Sequence, residues 1–256
     1  MTSPLVAVSL KMYFDRKRSL EYFDAVRDLA LHTPAVRGGD VRLAVLPDFL
    51  TLPAACAALS STAALVGAQD LAPADRGAFT GEVSGADLAA LGCSCVEIGH
   101  AERRTIFGED DAMIAAKTAA AVRNGLIPFL CVGEAERTTP EEAAHECFRQ
   151  VERALANTGR PAETWIAYEP YWAIGAAEPA PADYVRAVCA QLRASLTHLG
   201  DAVTLVYGGS AGPGLLARLG DAVDGLFLGR FAHDPSALAE VVAEAAAART
   251  GAATPA

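Results

Sequence analysis

Short, β-rich apolar runs recur eight times along this chain, and each is followed by a longer stretch before the next begins. The runs are Leu5 to Lys11, Val41 to Leu46, Ala64 to Ala68, Cys93 to Gly99, Ile127 to Val132, Trp165 to Glu169, Val203 to Tyr207 and Leu226 to Gly229. Alternation of such runs with longer Ala/Leu/Val stretches of helical period is the pattern of a parallel sheet with crossover helices. Between them lie stretches of helical period, among them Arg16 to Leu31, Asp110 to Arg123, Pro140 to Ala156, Pro181 to Leu199 and Pro235 to Ala248. Several of these open on proline, which is tolerated in the first helical turn. The repeat averages about 32 residues, the size of one βα unit. Eight such units in 256 residues fit an α/β fold of the (β/α)8 barrel type. A doubly wound sheet normally has fewer strands and a glycine-rich fingerprint after the first, and none follows Leu5 to Lys11. No linker-like stretch interrupts the series, so the chain reads as one domain whose residues after Arg249 fray.

Composition removes several functional classes. With 52% apolar and 20% charged residues the chain can bury a large core. Lys and Arg number 21 against 31 Asp and Glu, a net charge of −10, so there is no basic footprint for nucleic acid or an anionic membrane. The charge-free run from Phe49 to Gln69 has spanning length, but Pro53, Ser60, Ser61, Thr62 and Gln69 break it into helix, turn and strand. The N-terminus lacks the features of a secretory signal, which points to the cytoplasm. Six cysteines without a CxxC spacing or a paired-histidine spacing read as reduced, mostly buried thiols rather than disulfides or zinc ligands.

In a barrel of this kind the chemistry sits at the carboxyl ends of the strands. Those ends are Ser9-Leu10-Lys11, Gly99-His100, Tyr168-Glu169-Pro170, Tyr207-Gly208-Gly209-Ser210 and Leu228-Gly229-Arg230. A carboxylate, an imidazole and a cation thus meet two glycine turns whose N–H groups suit a phosphate monoester. A carboxylate can take the proton α to a carbonyl while a donor and a cation stabilise the oxyanion. No metal cluster or cofactor fingerprint is visible, so proton-transfer isomerisation by side chains alone is expected.

The motifs themselves resemble a known family. Lys11-Met12, Gly67-Ala68-Gln69, Gly77 to Ser84, Glu97-Ile-Gly-His-Ala-Glu-Arg-Arg104, Cys131-Val-Gly-Glu134, Tyr168 to Gly175, Tyr207 to Ser210 and Asp224-Gly225 are similar to triosephosphate isomerases, in the family's order. The resemblance implies Glu169 as the proton-shuttling base, His100 as a neutral electrophile, Lys11 as the positive charge and Glu102 as the group orienting Lys11; the pairing of carboxylate with neutral histidine is the family's own. It implies further that Ser9, Lys11, Gly175, Ser210, Gly229 and Arg230 bind substrate, and that Pro170 to Ala180 form a lid. No cofactor or metal is implied. It also implies a homodimer through the Gln69 to Glu82 loop, with Thr80 reaching the partner.

Departures from the family pattern are equally specific. Ser9 stands for its asparagine, Leu10 for the following tryptophan, and Ala101 for the serine after the histidine. Tyr171, Ala176-Ala177 and Glu178-Pro179-Ala180 alter the lid, and Arg230 replaces a second glycine, where it either grips a phosphate or blocks the pocket. The expected reaction is interconversion of dihydroxyacetone phosphate and glyceraldehyde 3-phosphate. The alternatives are the same proton transfer on another small phosphorylated sugar, such as a tetrulose phosphate, and a weakly active or inactive phosphometabolite-binding homologue. His32, His145, His198 and His233 lie away from the motifs and read as surface residues, Cys131 as core, and Arg103-Arg104 as a salt-bridged structural pair.

Overall fold

The computed structural model describes residues 3–159, 161–174 and 179–250. Strand β1 (Leu5–Ser9) leads to α1 (Arg16–His32) and the short α2 (Pro34–Arg37). The series continues with β2 (Arg42–Leu46), α3 (Leu52–Leu59), β3 (Leu65–Ala68), α4 (Gly85–Leu91), β4 (Cys95–Ile98), α5 (Ala101–Ile106) and α6 (Asp111–Arg123). Then come β5 (Ile127–Val132), α7 (Pro140–Leu155), β6 (Thr164–Tyr168), α8 (Ala182–Ser195), β7 (Val203–Tyr207), α9 (Leu215–Leu219), β8 (Gly225–Leu228) and α10 (Pro235–Thr250). The eight strands close into one parallel barrel in sequence order, as the spacing of the apolar runs predicts. The run from Phe49 to Gln69 divides into α3, a turn and β3. Among the described residues no helix is long and apolar enough to cross a membrane.

The two faces of the strands make two cores. Leu5, Ala7, Ala44, Leu46, Cys95, Phe129, Cys131, Trp165, Ala167, Val206 and Phe227 fill the barrel interior, while Val6, Val8, Val45, Val96, Ile98 and Leu130 pack outward against the helices. This alternation has period two, so every second residue of each strand points into the barrel. Helix starts are set locally. Asp15 accepts from the Arg18 N–H at α1, Asp110 from the Met113 N–H at α6, and Thr139 and Glu142 form a reciprocal capping box at α7 with Pro140 in its first turn.

Where strands run shorter than the sequence reading, the backbone explains it. Strand β1 stops at Ser9 rather than Lys11 because Lys11 takes φ 49°, a left-handed conformation that no sheet accommodates. Strand β4 stops before Gly99, which has φ 76°. Both breaks turn the chain inward over the barrel mouth. The Pro181 to Leu199 stretch ends as α-helix at Ser195 and continues as a 3-10 segment, Thr197–Ala202.

Candidate active site

A cavity of about 520 Å³ opens at the carboxyl ends of the strands, lined on its inner wall by Ser9, Lys11, His100, Glu102 and Glu169. Ser210, Gly229 and Arg230 line its outer wall. Eight of the nine sequence-selected site residues therefore face one space; the ninth, Gly175, lies outside the described residues, as does the 175–178 part of the expected lid.

Lys11 is held by the strained turn after β1. Gln69 Nε2 donates to the Lys11 carbonyl at 3.2 Å and to the Leu46 carbonyl at 2.9 Å, which ties the turn to β2 and β3. Its Nζ reaches Glu102 Oε1 at 2.8 Å. Burial pulls the ammonium pKa down, but the hydrogen bond and charge of Glu102, with the charges of Glu169 and Glu97, more than reverse this. Lys11 is therefore a fixed cation.

His100 caps α5: its Nδ1 accepts the Glu102 backbone N–H at 3.1 Å. An accepting Nδ1 carries no proton, which leaves Nε2 as the N–H donor of a neutral ring. Burial, and then the charge of Lys11, push the His100 pKa down to about 4. The ring stays neutral at physiological pH, with Nε2 at 3.4 Å from Glu169 Oε2.

Glu169 follows β6, its N–H bonded to the Val132 carbonyl at 2.8 Å. Two glycines make its position possible. A Cβ at Gly133 would stand 1.8 Å from the Glu169 carbonyl oxygen, and one at Gly208 would stand 2.6 Å from Glu169 Oε1. Its Oε2 is buried with no hydrogen-bond partner, and burial, reinforced by the charge of Glu97, lifts its pKa well above the carboxylate range. A carboxylate so placed is a strong base held short of solvation.

Residues to which the sequence reading gave no role complete the site. Glu97 points into the barrel from β4 and accepts from Ser9 Oγ at 3.0 Å; burial pushes its pKa up to about 7. The Glu97-Ile-Gly-His motif contains it, and the sign available was its parity with the interior residue Cys95. Glu134 gathers Tyr168 Oη at 3.1 Å, Tyr184 Oη at 2.9 Å and Trp172 Nε1 at 2.7 Å on one oxygen, which ties down the segment just after β6. His233, expected at the surface, is instead buried. Its Nε2 donates to the Ser9 carbonyl at 3.3 Å, and Phe14 and Tyr13 pack on its ring. The correction comes from residues brought together from opposite ends of the chain, which no local pattern reveals. His32, His145 and His198 are exposed as expected, and Arg103 and Arg104 are paired with Glu109 and Asp111.

On the outer wall Arg230 heads the 3-10 turn Arg230–His233 after β8. Its guanidinium lies 5.7 Å from the centre of the Tyr13 ring. It is exposed at the rim and leaves the cavity open beneath it, so the blocking alternative does not hold in this conformation. A planar cation on an aromatic face beside glycine turns is suited to a phosphate.

Comparison with known proteins agrees with this geometry. The sequence model described as triosephosphate isomerase matches residues 4–245. The chain is 50% identical over 245 residues to the L-erythrulose-1-phosphate isomerase of Pectobacterium atrosepticum, covering 94% of this chain and 95% of that protein. It is 38% identical over 260 residues to the triosephosphate isomerase of Mycobacterium tuberculosis, covering 95% and 97%. A third relative, the triosephosphate isomerase of Moorella thermoacetica, is 38% identical over 255 residues, covering 94% and 98%.

Proposed function

The chain belongs to the triosephosphate isomerase family, and from that premise we propose that it moves a carbonyl between neighbouring carbons of a four-carbon sugar phosphate, L-erythrulose 1-phosphate. The observation that carries the choice of substrate is the 50% identity, over nearly the full length of both chains, to an L-erythrulose-1-phosphate isomerase, against 38% for triosephosphate isomerases. The sequence reading put the three-carbon substrate first and a tetrulose phosphate second; this identity favours the reverse order.

The chemistry balances without a co-reactant. Glu169 takes the proton from C3, next to the C2 ketone, and the electron pair moves onto the C2 oxygen as an enediolate. Lys11 and the Nε2–H of His100 stabilise the charge on the two oxygens. His100 passes a proton between those oxygens, and Glu169 returns its proton to C2. The ketone now stands at C3, which numbered from the other end is erythrulose 4-phosphate. A neutral imidazole suits this task because its pKa lies closer to that of an enediol than an imidazolium's does. Glu102 keeps Lys11 in place. Ser210, Gly229 and Arg230, with Gly175 from the lid, hold the phosphate. The triose reaction runs through the same atoms with hydrogen in place of the terminal hydroxymethyl group.

We also propose that the protein works as a homodimer through the Gln69 to Glu82 loop. Met12, Leu50, Phe79, Ile106 and Phe107 are large apolar side chains left exposed, and all stand on the segments after β1 to β4, at one end of the barrel. An exposed apolar set of this extent is characteristic of an interface.

Proton NMR of the purified protein with L-erythrulose 1-phosphate in D2O tests the reaction. Conversion to the 4-phosphate with deuterium entering at the new carbinol carbon is expected. Rapid turnover of dihydroxyacetone phosphate alone would overturn the four-carbon reading, and binding of phosphoglycolate without exchange on either substrate would make the protein a binding homologue. Sedimentation at micromolar concentration, where a dimer is expected, checks the assembly.

A further inference from the structure

Ser9 stands where the family carries asparagine, and its surroundings say what the exchange achieves. Its side chain lies in the polar layer that caps the barrel interior, directly above Leu5 and Ala7 of the inner core. Across the barrel its Oγ donates to Glu97 Oε2 at 3.0 Å, and Cys131 Sγ lies 4.0 Å from Glu97 Oε1. Ser9 is 3% exposed yet lines the cavity, whereas Arg230 stands exposed at the rim. A sugar chain whose phosphate is held at the rim would reach inward past Lys11, His100 and Glu169 to the floor that Ser9 forms.

Two properties of that floor match a hydroxymethyl group. The first is size. Serine has two fewer non-hydrogen side-chain atoms than asparagine, and L-erythrulose 1-phosphate has two more non-hydrogen atoms than dihydroxyacetone phosphate, one carbon and one oxygen, on the end remote from phosphate. The second is polarity. The single proton of the Ser9 hydroxyl is committed to Glu97, so Oγ presents only lone pairs to the cavity. An acceptor without a free proton suits a substrate O–H, and it leaves the developing oxyanion to Lys11 and His100.

Resting on the four-carbon reading above, we propose that Ser9, held by Glu97, is the specificity-determining residue that seats the terminal hydroxymethyl group of the substrate. Wild type, Ser9→Asn and Ser9→Ala are each assayed with L-erythrulose 1-phosphate and with dihydroxyacetone phosphate, and kcat and KM are resolved separately. Ser9→Asn refills the floor and lowers the tetrulose-to-triose ratio of kcat/KM by about 100-fold. Ser9→Ala keeps the space and removes the acceptor, so the KM for tetrulose rises about tenfold more than that for triose while kcat changes little. A structural role alone moves both substrates together. Ratios within about threefold of wild type for both variants overturn the proposal. If Ser9→Asn does not fold, the Ser9→Ala ratio decides alone. Wild type by itself decides the underlying reading: no tetrulose turnover there removes both, whereas turnover with unmoved ratios removes only the role of Ser9.

Discussion

Two charged clusters share the turn of chain between His100 and Arg104, and they are built on opposite plans. On the inner wall of the cavity and just beneath it, Lys11 faces the three carboxylates Glu102, Glu169 and Glu97, with a neutral His100 among them. Behind the same turn, Lys117 and Arg103 balance Asp70 and Glu109. Lys117 Nζ lies 2.7 and 2.8 Å from the two Asp70 oxygens, and Arg103 lies 3.0 Å from Asp70 and 2.6 Å from Glu109. Burial leaves Asp70 raised as well, and Lys117 and Arg103 offset only part of that rise. Matched charges with directed hydrogen bonds hold the β3 and β4 loops in place; in the unmatched set Lys11 keeps Glu102 ionised while Glu97 and Glu169 stay reluctant acids, which is what a proton shuttle needs. The paired cluster supplies the rigidity against which the unpaired one is poised.

The largest effect expected is from Glu169→Gln, which removes the base but keeps its shape. Turnover should fall by about 10³ to 10⁴, with the melting temperature little changed, because burial already favours the neutral carboxyl and the amide keeps its shape. Activity within tenfold of wild type would show that the unmatched cluster is not the reacting one. Lys117→Met probes the other plan. It leaves Asp70 and Glu109 short of a cation in a buried setting and should cost about 3 to 5 kcal/mol in denaturant unfolding, while kcat per folded molecule stays within a few-fold. A mild loss of stability with a large loss of kcat would erase the distinction.

pH separates Glu97 and Glu169 from Asp111 by sign. Glu97 is raised from 4.5 to about 7 and Glu169 is raised in the same direction, both by burial first. The folded state holds these protons more tightly, so the contribution of Glu97 to stability is full below pH 4.5 and is lost as pH rises through about 7, and that of Glu169 is lost in the same direction. Asp111, lowered by its hydrogen bond to Arg104, does the reverse: its contribution is present above pH 3.8 and is lost as pH falls through the depressed folded-state value. Glu97→Gln should flatten the decline in unfolding free energy between those limits by about 2 kcal/mol. An unchanged slope would mean that Glu97 titrates normally. In the same way, the acid limb of kcat/KM should lie above the ordinary carboxylate range, because Glu169 must be ionised to act.

How far the sequence carried differs between these regions for a physical reason. Strands β5 and β7 begin and end where their apolar runs do, since a parallel strand covered on both faces is mostly apolar along its length. Helices α2, α4, α5 and α9 are each seven residues or shorter, and a helical period cannot be read over so few. Lys11, His100, Glu169 and Arg230 were legible because they end strands, where a barrel exposes polar groups. Glu97 was not, because it sits inside β4, where an acid is explained only by Ser9 from β1, 88 positions away. Lys117 reads as an ordinary helical lysine until Asp70 and Glu109 arrive from other loops. Pairing across the fold is what a one-dimensional pattern omits, and the matched cluster consists of little else.

The smallest effect lies at the edge of the matched cluster, where solvent weakens it. Asp111 receives Arg104 at 2.8 Å on one oxygen and Arg153 at 2.7 Å on the other, with side-chain exposures of 35% for the acid and 18% and 48% for the two arginines. Arg104 also donates to the Gly99 carbonyl at 3.2 Å, beneath His100, whereas Arg153 only ties α7 to α6. Half-exposed pairs are screened and entropically costly to hold, so Arg153→Gln should lower stability by less than about 1 kcal/mol, or roughly 2 to 4 °C in melting temperature at most. Turnover on either substrate should not move. A fall in kcat from this substitution would mean that the rim of the paired cluster transmits strain through Asp111 and Arg104 to the His100 turn, and the two plans would then have to be treated as one coupled network.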